Sequence, residues 1–491
     1  MNKFKHQVLF VSSEVYPLIK TGGLADVCYG LPVALAELDC DVRLLIPAYL
    51  SVKRQLKHQK RIYTFSEKDN IHLIEAVLPK TKIKLWLIDI PTLFERIGGP
   101  YTTANGYEWP DNAERFSEFC KWSCQIALDQ IGLEWQPDIV HCNDWQTGLI
   151  PALLSQEKQR PTTIFTIHNL AYQGLFPQET FDRLNLPSAF WSPEQLEFHD
   201  SFSFIKGGIV FSDAINTVSP KYADEIQTPE FGCGLDGLLR HRAGFLSGII
   251  NGVDYQQWNP AKDKAIVQTY SAHTISRKQK NKTALQKEFG LPTREDIPVI
   301  GTIGRIVEQK GYDLILGSLS EILALDIQMV ILGTGDRKLE KALVNAAKLA
   351  PEQMAVRIGY DETLAHVIEA GADIFLMPSR FEPCGLNQIY SQRYGTVPIV
   401  HDTGGLADTV IDANTRNLSE EKATGFKFSP ATSAELSNAV TKAIGLYLKP
   451  RKWRKVVRSA MQQDFSWKTS AIRYLELYQQ AQKNQRLTSP K

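Results

Sequence analysis

Short runs of β-branched and aliphatic residues, each followed by a stretch of helical periodicity, recur along almost the whole chain. The strand candidates are QVLFVS, DVRLLIP, IKLWLIDI, DIVHCND, TTIFTIH and AINTVS. A second series follows: PVIGTIGR, IQMVILG, MAVRIGY, DIFLMPS and VPIVHD. Between most of them lie amphipathic stretches such as GLADVCYGLPVALAEL and KLEKALVNAAKLA. Strands apolar on both faces, alternating with helices, predict parallel sheets covered by helices. The two series share this logic, so the predicted fold class is α/β, with two doubly wound, Rossmann-like domains. The break falls after SGIINGVDYQQWNP: residues 261–296 are polar and Lys-rich, and the second series starts at Pro298. This gives domains at 1–255 and 256–465, then a helical tail at 466–491 whose polar end, KNQRLTSPK, is expected to fray.

At 491 residues the chain exceeds one ordinary core. Its 55 Lys and Arg balance 54 Asp and Glu, which argues against nucleic acid as a partner and makes any anion site local. Seven scattered cysteines do not form a disulfide framework and fit a reducing compartment. Cys120 and Cys124, four apart, read as a helical core pair. The amino-terminal apolar run is too short for a signal peptide, and no run approaches the ~20 residues of a membrane helix. The expectation is a cytoplasmic protein with no membrane contact.

In open parallel sheets, ligands bind beyond the carboxyl ends of the strands. Four groups lie just after strand candidates. Lys20 with Gly22 and Gly23 (KTGGLADV) places a cation and two glycines at a helix start, where backbone N–H groups and the helix dipole favour an anion. Taken alone, a tight turn with a solvated lysine fits equally well, and the pattern is not GxGxxG. Arg305 and Lys310 (GTIGRIVEQKG) flank a strand-to-helix turn, which suits a diphosphate leaving group whose charge grows as its bond breaks. In SRFEPCGLNQIY, Glu382 is expected at a strand end and Gly385 at a helix start. Cys384 has no local histidine and reads as a packed thiol. The fourth group is spread over the first half: Asp144 and Trp145 (HCNDWQTGL), His168 (TIHNLAYQG) and Tyr101 (GGPYTTANGYEWPDN). A carboxylate beside an indole suits a sugar, whose hydroxyls meet the acid and whose apolar face meets the ring. Individually, Trp145 and His168 read more readily as core residues. Asp39-Cys40-Asp41 matches a metal-binding DxD formally, but it precedes a strand and reads as a turn. No other cluster has metal-ligand spacing.

Together, KTGGLADV, HCNDWQTGL, TIHNLAYQG, GIINGVD, GRIVEQKG, SRFEPCGL and TGGLADTV resemble the bacterial glycogen synthases and plant starch synthases, over essentially the whole chain. The resemblance implies the GT-B fold, with two Rossmann-like domains facing a deep cleft, and retaining transfer of glucose from ADP-glucose to an α-1,4-glucan without metal or cofactor. It implies a donor diphosphate at Lys20, Gly22, Gly23, Arg305 and Lys310, with backbone N–H groups near Cys384, Gly385 and Leu386 completing the cradle. Tyr360 (RIGYDETLAH) matches the adenine-stacking aromatic and Glu382 the donor-sugar carboxylate. His168, Asp144, Trp145 and Asn251 match residues around the transferred glucose, and Tyr101 matches the acceptor side. Glu382, His168, Arg305 and Lys310 are the expected catalytic set.

Related retaining GT-B enzymes carry a second Glu eight residues after the first; this chain has Tyr390 there, as glycogen synthases tend to. That favours front-face attack over the two-carboxylate route of retaining glycosidases. His401 and Asp402, before TGGLADTV, replace the family's frequent arginine. Alternative readings are a UDP-glucose-using relative and a non-catalytic glucan-binding or initiation partner.

Overall fold

The computed structural model describes residues 5–488, and the chain divides into two compact units. Unit 1 takes the chain up to Gly252 and again from Trp467, and unit 2 is Val253–Ser466.

Unit 1 is built on nine strands: β1 Gln7–Val11, β2 Asp41–Pro47, β3 Lys60–Ser66, β4 Ile71–Val77, β5 Lys84–Asp89, β6 Ile139–Asn143, β7 Thr162–Ile167, and two that follow a small three-stranded sheet. The small sheet comprises β8 Leu175–Pro177, β9 Glu197–Phe198 and β10 Ser201–Ser203; the last two strands of the main sheet are β11 Ala214–Thr217 and β12 Leu246–Gly248. The order β12-β11-β7-β6-β1-β2-β5-β4-β3 puts a topological switch point between β1 and β6. Residues of β6 and β7 are buried throughout, as strands covered on both faces require.

One expectation needs correction: this sheet is mixed, not parallel. β4 pairs antiparallel with both β3 and β5. The turn into β4 has Asn70 at φ 55°, and the next has Lys80 at φ 63° with Thr81 N–H donating to Leu78 O at 3.1 Å. Connections this short cannot carry a crossover helix, so they reverse the chain. The edge strand β3 opens on exposed Lys60 and Arg61, which blunt it against further pairing. Asp39 lies at φ 65° just before β2, in the turn expected for the Asp39-Cys40-Asp41 stretch.

Unit 2 carries β13 Val299–Ile306, β14 Gln328–Gly335, β15 Met354–Ile358, β16 Ile374–Met377, β17 Val397–His401 and β18 Phe426–Phe428. All neighbouring pairs are parallel, and the order β15-β14-β13-β16-β17-β18 sets the switch point between β13 and β16.

The tail helix Trp467–Thr488 packs in unit 1 against the helix Gly23–Glu37, β7 and β11. Its buried face is tied by polar contacts rather than oil alone. His141 in β6 hydrogen-bonds Tyr478 Oη at 2.8 Å and Thr166 Oγ1 at 2.7 Å, and Asn216 donates to Tyr474 Oη at 2.9 Å. Burial lowers the His141 pKa to about 3, so the ring stays neutral. A Cβ on Gly30 would lie 2.0 Å from the Trp467 indole, so only glycine lets the tail begin there. The last three residues of the polar terminus lie outside the described residues. Among the described residues, no helix is long and apolar enough to cross a membrane.

Candidate active site

Every sequence-selected group except Tyr101, Asn251 and Tyr360 follows β1, β6, β7, β13 or β16 or, for Arg305, lies at the end of β13; these are the strands at or beside the two switch points. In unit 1, the chain leaves β1, folds back through a Val15–Ile19 bridge, and reaches Lys20 before the helix that starts at Gly23. Lys20 is already paired with Asp26 in that helix's first turn, at 2.7 Å, and lies over the Tyr16 ring. An added Cβ at Gly22 or Gly23 would meet nothing within 4 Å. The glycines therefore leave the helix start uncovered rather than relieve a clash.

Sequence reasoning missed Glu14. It is 2% exposed, and its carboxylate accepts from Thr21 N (2.5 Å), Thr21 Oγ1 (2.6 Å) and Tyr101 Oη (2.6 Å). Ser13 Oγ lies 2.7 Å from the same phenol oxygen. A carboxylate only accepts, so the phenol proton goes to Glu14 and the Ser13 hydroxyl donates to the phenol. Burial and the Glu14 charge hold the Tyr101 pKa well above its ordinary value. The Tyr101 backbone is pinned by Asn112 Nδ2, which donates to its carbonyl at 3.1 Å.

After β6, Asp144 takes φ 56° and ψ 179°, a conformation that non-glycine residues adopt only under constraint. Its Oδ1 accepts the His168 backbone N–H at 2.7 Å, which joins the loops after β6 and β7. Burial raises its pKa to about 7, against the lowering effect of the His168 and Asn169 N–H groups; the Glu14 charge adds to the rise. His168 goes the other way: burial lowers its pKa to about 3. Asn143 Nδ2 donates to Val11 O and His141 O, so Asn143 Oδ1 accepts, and His168 Nε2–H must be its donor at 3.0 Å. The ring is then neutral with its Nδ1 lone pair available to a hydroxyl. Asn251 is buried, and its side-chain oxygen has no hydrogen-bond partner.

Trp145 corrects an expectation. Its ring is packed among Phe116, Phe176 and Phe204 at centroid distances of 5.1, 5.9 and 5.6 Å. Only 9% of the residue is exposed, and Gly174 leaves no room for even a methyl over the indole. This indole is packed in the core among aromatic rings rather than standing open as a sugar platform.

In unit 2, Arg305 is exposed near the end of β13, and Lys310 closes a short 3-10 turn after it. Glu382 is not at a strand end as expected; it lies five residues past β16, in the loop before the helix Asn387–Arg393. That loop brings it onto Lys310, whose ammonium is ion-paired with Glu382 Oε2, and Ser379 Oγ donates to the same oxygen at 3.2 Å. Lys310 and Glu382, separate in sequence, thus form one ion pair. Gly311 fixes the two loops together: at φ 73°, a Cβ there would lie 2.1 Å from Pro378 O. Arg380 adds an ion pair to Asp313 and a backbone bond from its N–H to Gln309 O at 2.8 Å.

The Cys384 thiol is enclosed, 5% exposed, so only its backbone can face a ligand. Gly385 sits at φ 71°, and Leu386 is the N-cap of the following helix. Tyr360 is 82% exposed in a loop after β15. Tyr390 lies flat on Trp258 (4.0 Å, 7°), whose other face stacks on His366 (3.8 Å, 7°). Thus the position of the second carboxylate in related enzymes is filled by a packing ring. His401 Nδ1–H donates to Ser379 O at 2.9 Å, while Asp402 pairs with Lys427 at 3.0 Å, so these two residues brace the Glu382 loop and its neighbour.

A model of the starch synthase catalytic domain matches residues 7–241, and one of the group 1 glycosyl transferases matches residues 284–459. The catalytic domain of starch synthase IV from Arabidopsis thaliana, solved bound to ADP and acarbose, superposes with a TM-score of 0.85 at 30% identity, over 97% of this chain and 99% of that one. Two Rossmann-like units with these matches make the chain a GT-B glycosyltransferase. Glycogen synthase 1 of Methylococcus capsulatus is 55% identical over 97% of this chain and 96% of its own length. The glycogen synthase of Thioalkalivibrio sulfidiphilus is 53% identical, over 96% and 99%. The chain belongs to the glycogen synthase family.

Proposed function

We propose that this enzyme transfers glucose from ADP-glucose to the non-reducing end of an α-1,4-glucan, retaining the anomeric configuration, in glycogen biosynthesis. The observation that carries the reading is the Lys310–Glu382 pair at the β13/β16 switch point, with Arg305 beside it. Arg305, Lys310 and the N–H groups of Gly385 and Leu386 hold the diphosphate, and Tyr360 stacks on adenine. Lys20, with the uncovered backbone at Gly22 and Gly23, supplies unit 1's cation to a donor phosphate. Neutral His168 accepts a glucose hydroxyl at Nδ1. Asp144 and the unpartnered Asn251 oxygen accept others. Tyr101 serves the acceptor side.

As the C1–O bond to phosphate breaks, its electron pair moves to the phosphate oxygen, where the two cations stabilise it. The acceptor hydroxyl attacks C1 from the same face, and its proton passes to that oxygen. A covalent route would need a second carboxylate about 5 Å from the first. The stacked ring of Tyr390 supports the front-face route instead. Six buried cysteines and one exposed, none in a disulfide, support a reducing, cytoplasmic setting.

The test is labelled glucose transfer to glycogen from ADP-glucose and from UDP-glucose, with the new linkage read by NMR. Transfer from ADP-glucose giving an α-linkage is expected. Transfer from UDP-glucose alone moves the donor assignment, and no transfer from either by folded protein overturns the reading in favour of a non-catalytic glucan-binding partner.

A further inference from the structure

The loop after β1 and the segment carrying Tyr101 are far apart in sequence, yet both end on one carboxylate. We propose that Glu14 is a positioning residue that fastens the Lys20 loop and Tyr101 into a single frame, so that one buried side chain sets both donor and acceptor handling. The proposal deepens the reading above and rests on its assignment of Lys20 to the donor and Tyr101 to the acceptor.

Three features support it. Glu14 is almost wholly buried, and among the described residues no Lys, Arg or His forms an ion pair with it. A buried carboxylate without a cation depends on hydrogen bonds for its place. All three of its side-chain partners come from the two elements in question: Thr21 N–H, Thr21 O–H and Tyr101 O–H. Thr21 adjoins both Lys20 and Gly22, so its backbone bond to Glu14 sets where the loop's cation and open N–H groups begin. Finally, Tyr101 has no freedom of its own, because its carbonyl is held by Asn112 and its phenol by Glu14 and Ser13. A shift of Glu14 therefore moves the loop and the phenol together.

Shape and charge can be separated. Glu14→Asp withdraws the carboxylate by one methylene and breaks the reach to both elements. Glu14→Gln keeps the reach: its amide oxygen accepts Thr21 N–H, and the two hydroxyls reverse to accept from its NH₂. The glutamine variant therefore preserves the frame but removes a negative charge that helps raise Asp144.

The test combines kinetics, with each substrate varied in turn, and hydrogen exchange at the Thr21 amide in the substrate-free protein. For Glu14→Asp, losing hydrogen bonds to two elements is expected to raise the KM of ADP-glucose and of malto-oligosaccharide each by about 10-fold, and Thr21 exchange by a similar factor. Glu14→Gln should leave both KM values within about 3-fold and move the acid limb of kcat/KM to lower pH. Tyr101→Phe, which keeps both Thr21 bonds, should raise the acceptor KM alone. A Glu14→Asp variant that leaves Thr21 exchange unchanged, or that raises one KM without the other although Tyr101→Phe raises the acceptor KM, overturns the frame. If Tyr101→Phe leaves the acceptor KM untouched while Glu14→Asp speeds Thr21 exchange, the frame stands and the acceptor assignment of Tyr101 falls.

Discussion

The hexapeptide TGGLAD occurs twice, at residues 21–26 in unit 1 and 403–408 in unit 2, each time running from a loop into a helix. The two copies are used in opposite ways. In the first, the glycines are exposed and a Cβ on either would meet nothing. In the second, both are buried. A Cβ on Gly404 would lie 2.0 Å from Glu382 O, one on Gly405 would lie 2.2 Å from Cys384 O, and Gly405 N–H donates to Glu382 O at 3.1 Å. One pair of glycines keeps backbone open at a helix start; the other lets a helix press against the loop that carries Glu382. The same residues thus leave a helix start open in one unit and place a loop in the other.

The neighbourhoods of the two copies differ in charge as well. Around the first, Asp144 and His168 are shifted toward their neutral forms by burial, which suits hydroxyl groups. Around the second lie Arg305 and the Lys310–Glu382 and Arg380–Asp313 pairs, which suit phosphate.

The largest expected effect comes from removing the group the second copy serves. Lys310→Ala should lower kcat/KM by about 1,000-fold, since it removes the cation proposed to meet the leaving group and strands Glu382, and steady-state assay reads this directly. Gly404→Ala comes next. Its methyl would displace the Glu382 backbone at a residue with φ 42°, so kcat should fall about 100-fold and unfolding free energy by about 3 kcal/mol, read by assay and denaturant titration. A variant with full activity would mean that the close packing does not place Glu382.

For unit 1, the pH dependence is diagnostic. With the Asp144 pKa near 7 and the carboxylate as the hydroxyl acceptor, kcat/KM should fall as pH drops through about 7. Asp144→Asn should lose that limb. Its contribution to stability has the opposite sign. A carboxyl whose folded pKa is raised stabilises the fold at low pH and loses that contribution as pH rises through about 7. His168, lowered to about 3, adds no limb in this range. Smallest of all should be Gly23→Ala, which fills no occupied space. Unfolding free energy should change by less than about 1 kcal/mol, while the donor KM rises about 10-fold if the open backbone meets phosphate.

The strand tips were legible because buried parallel strands are continuous apolar runs, and the residues after QVLFV, IVHCN, TTIFTI and VIGTIGRI are those that the folded chain gathers at its switch points. Four things were not. The order of strands sets which loops become neighbours, so the ion pair between Lys310 and Glu382 has no local signature. Glu14 sits in SSEV, an ordinary polar loop until Thr21 and Tyr101 converge on it. For Trp145, the aspartate beside it suggested a sugar platform, whereas three phenylalanines from distant segments close over the ring. The antiparallel edge was missed because KRIYTFS opens on two charges and IHLIEAV is broken by His72 and Glu75, so neither reads as a continuous apolar run.

The proposal that Lys310 in unit 2 grips phosphate while Asp144 in unit 1 meets hydroxyls is tested most directly by calorimetric titration of ADP, which carries the diphosphate but no glucose. Lys310→Ala is expected to weaken ADP binding by at least about 10-fold, and Asp144→Asn to leave it within about 2-fold. Equal losses in the two variants, or unchanged binding to Lys310→Ala, would contradict it.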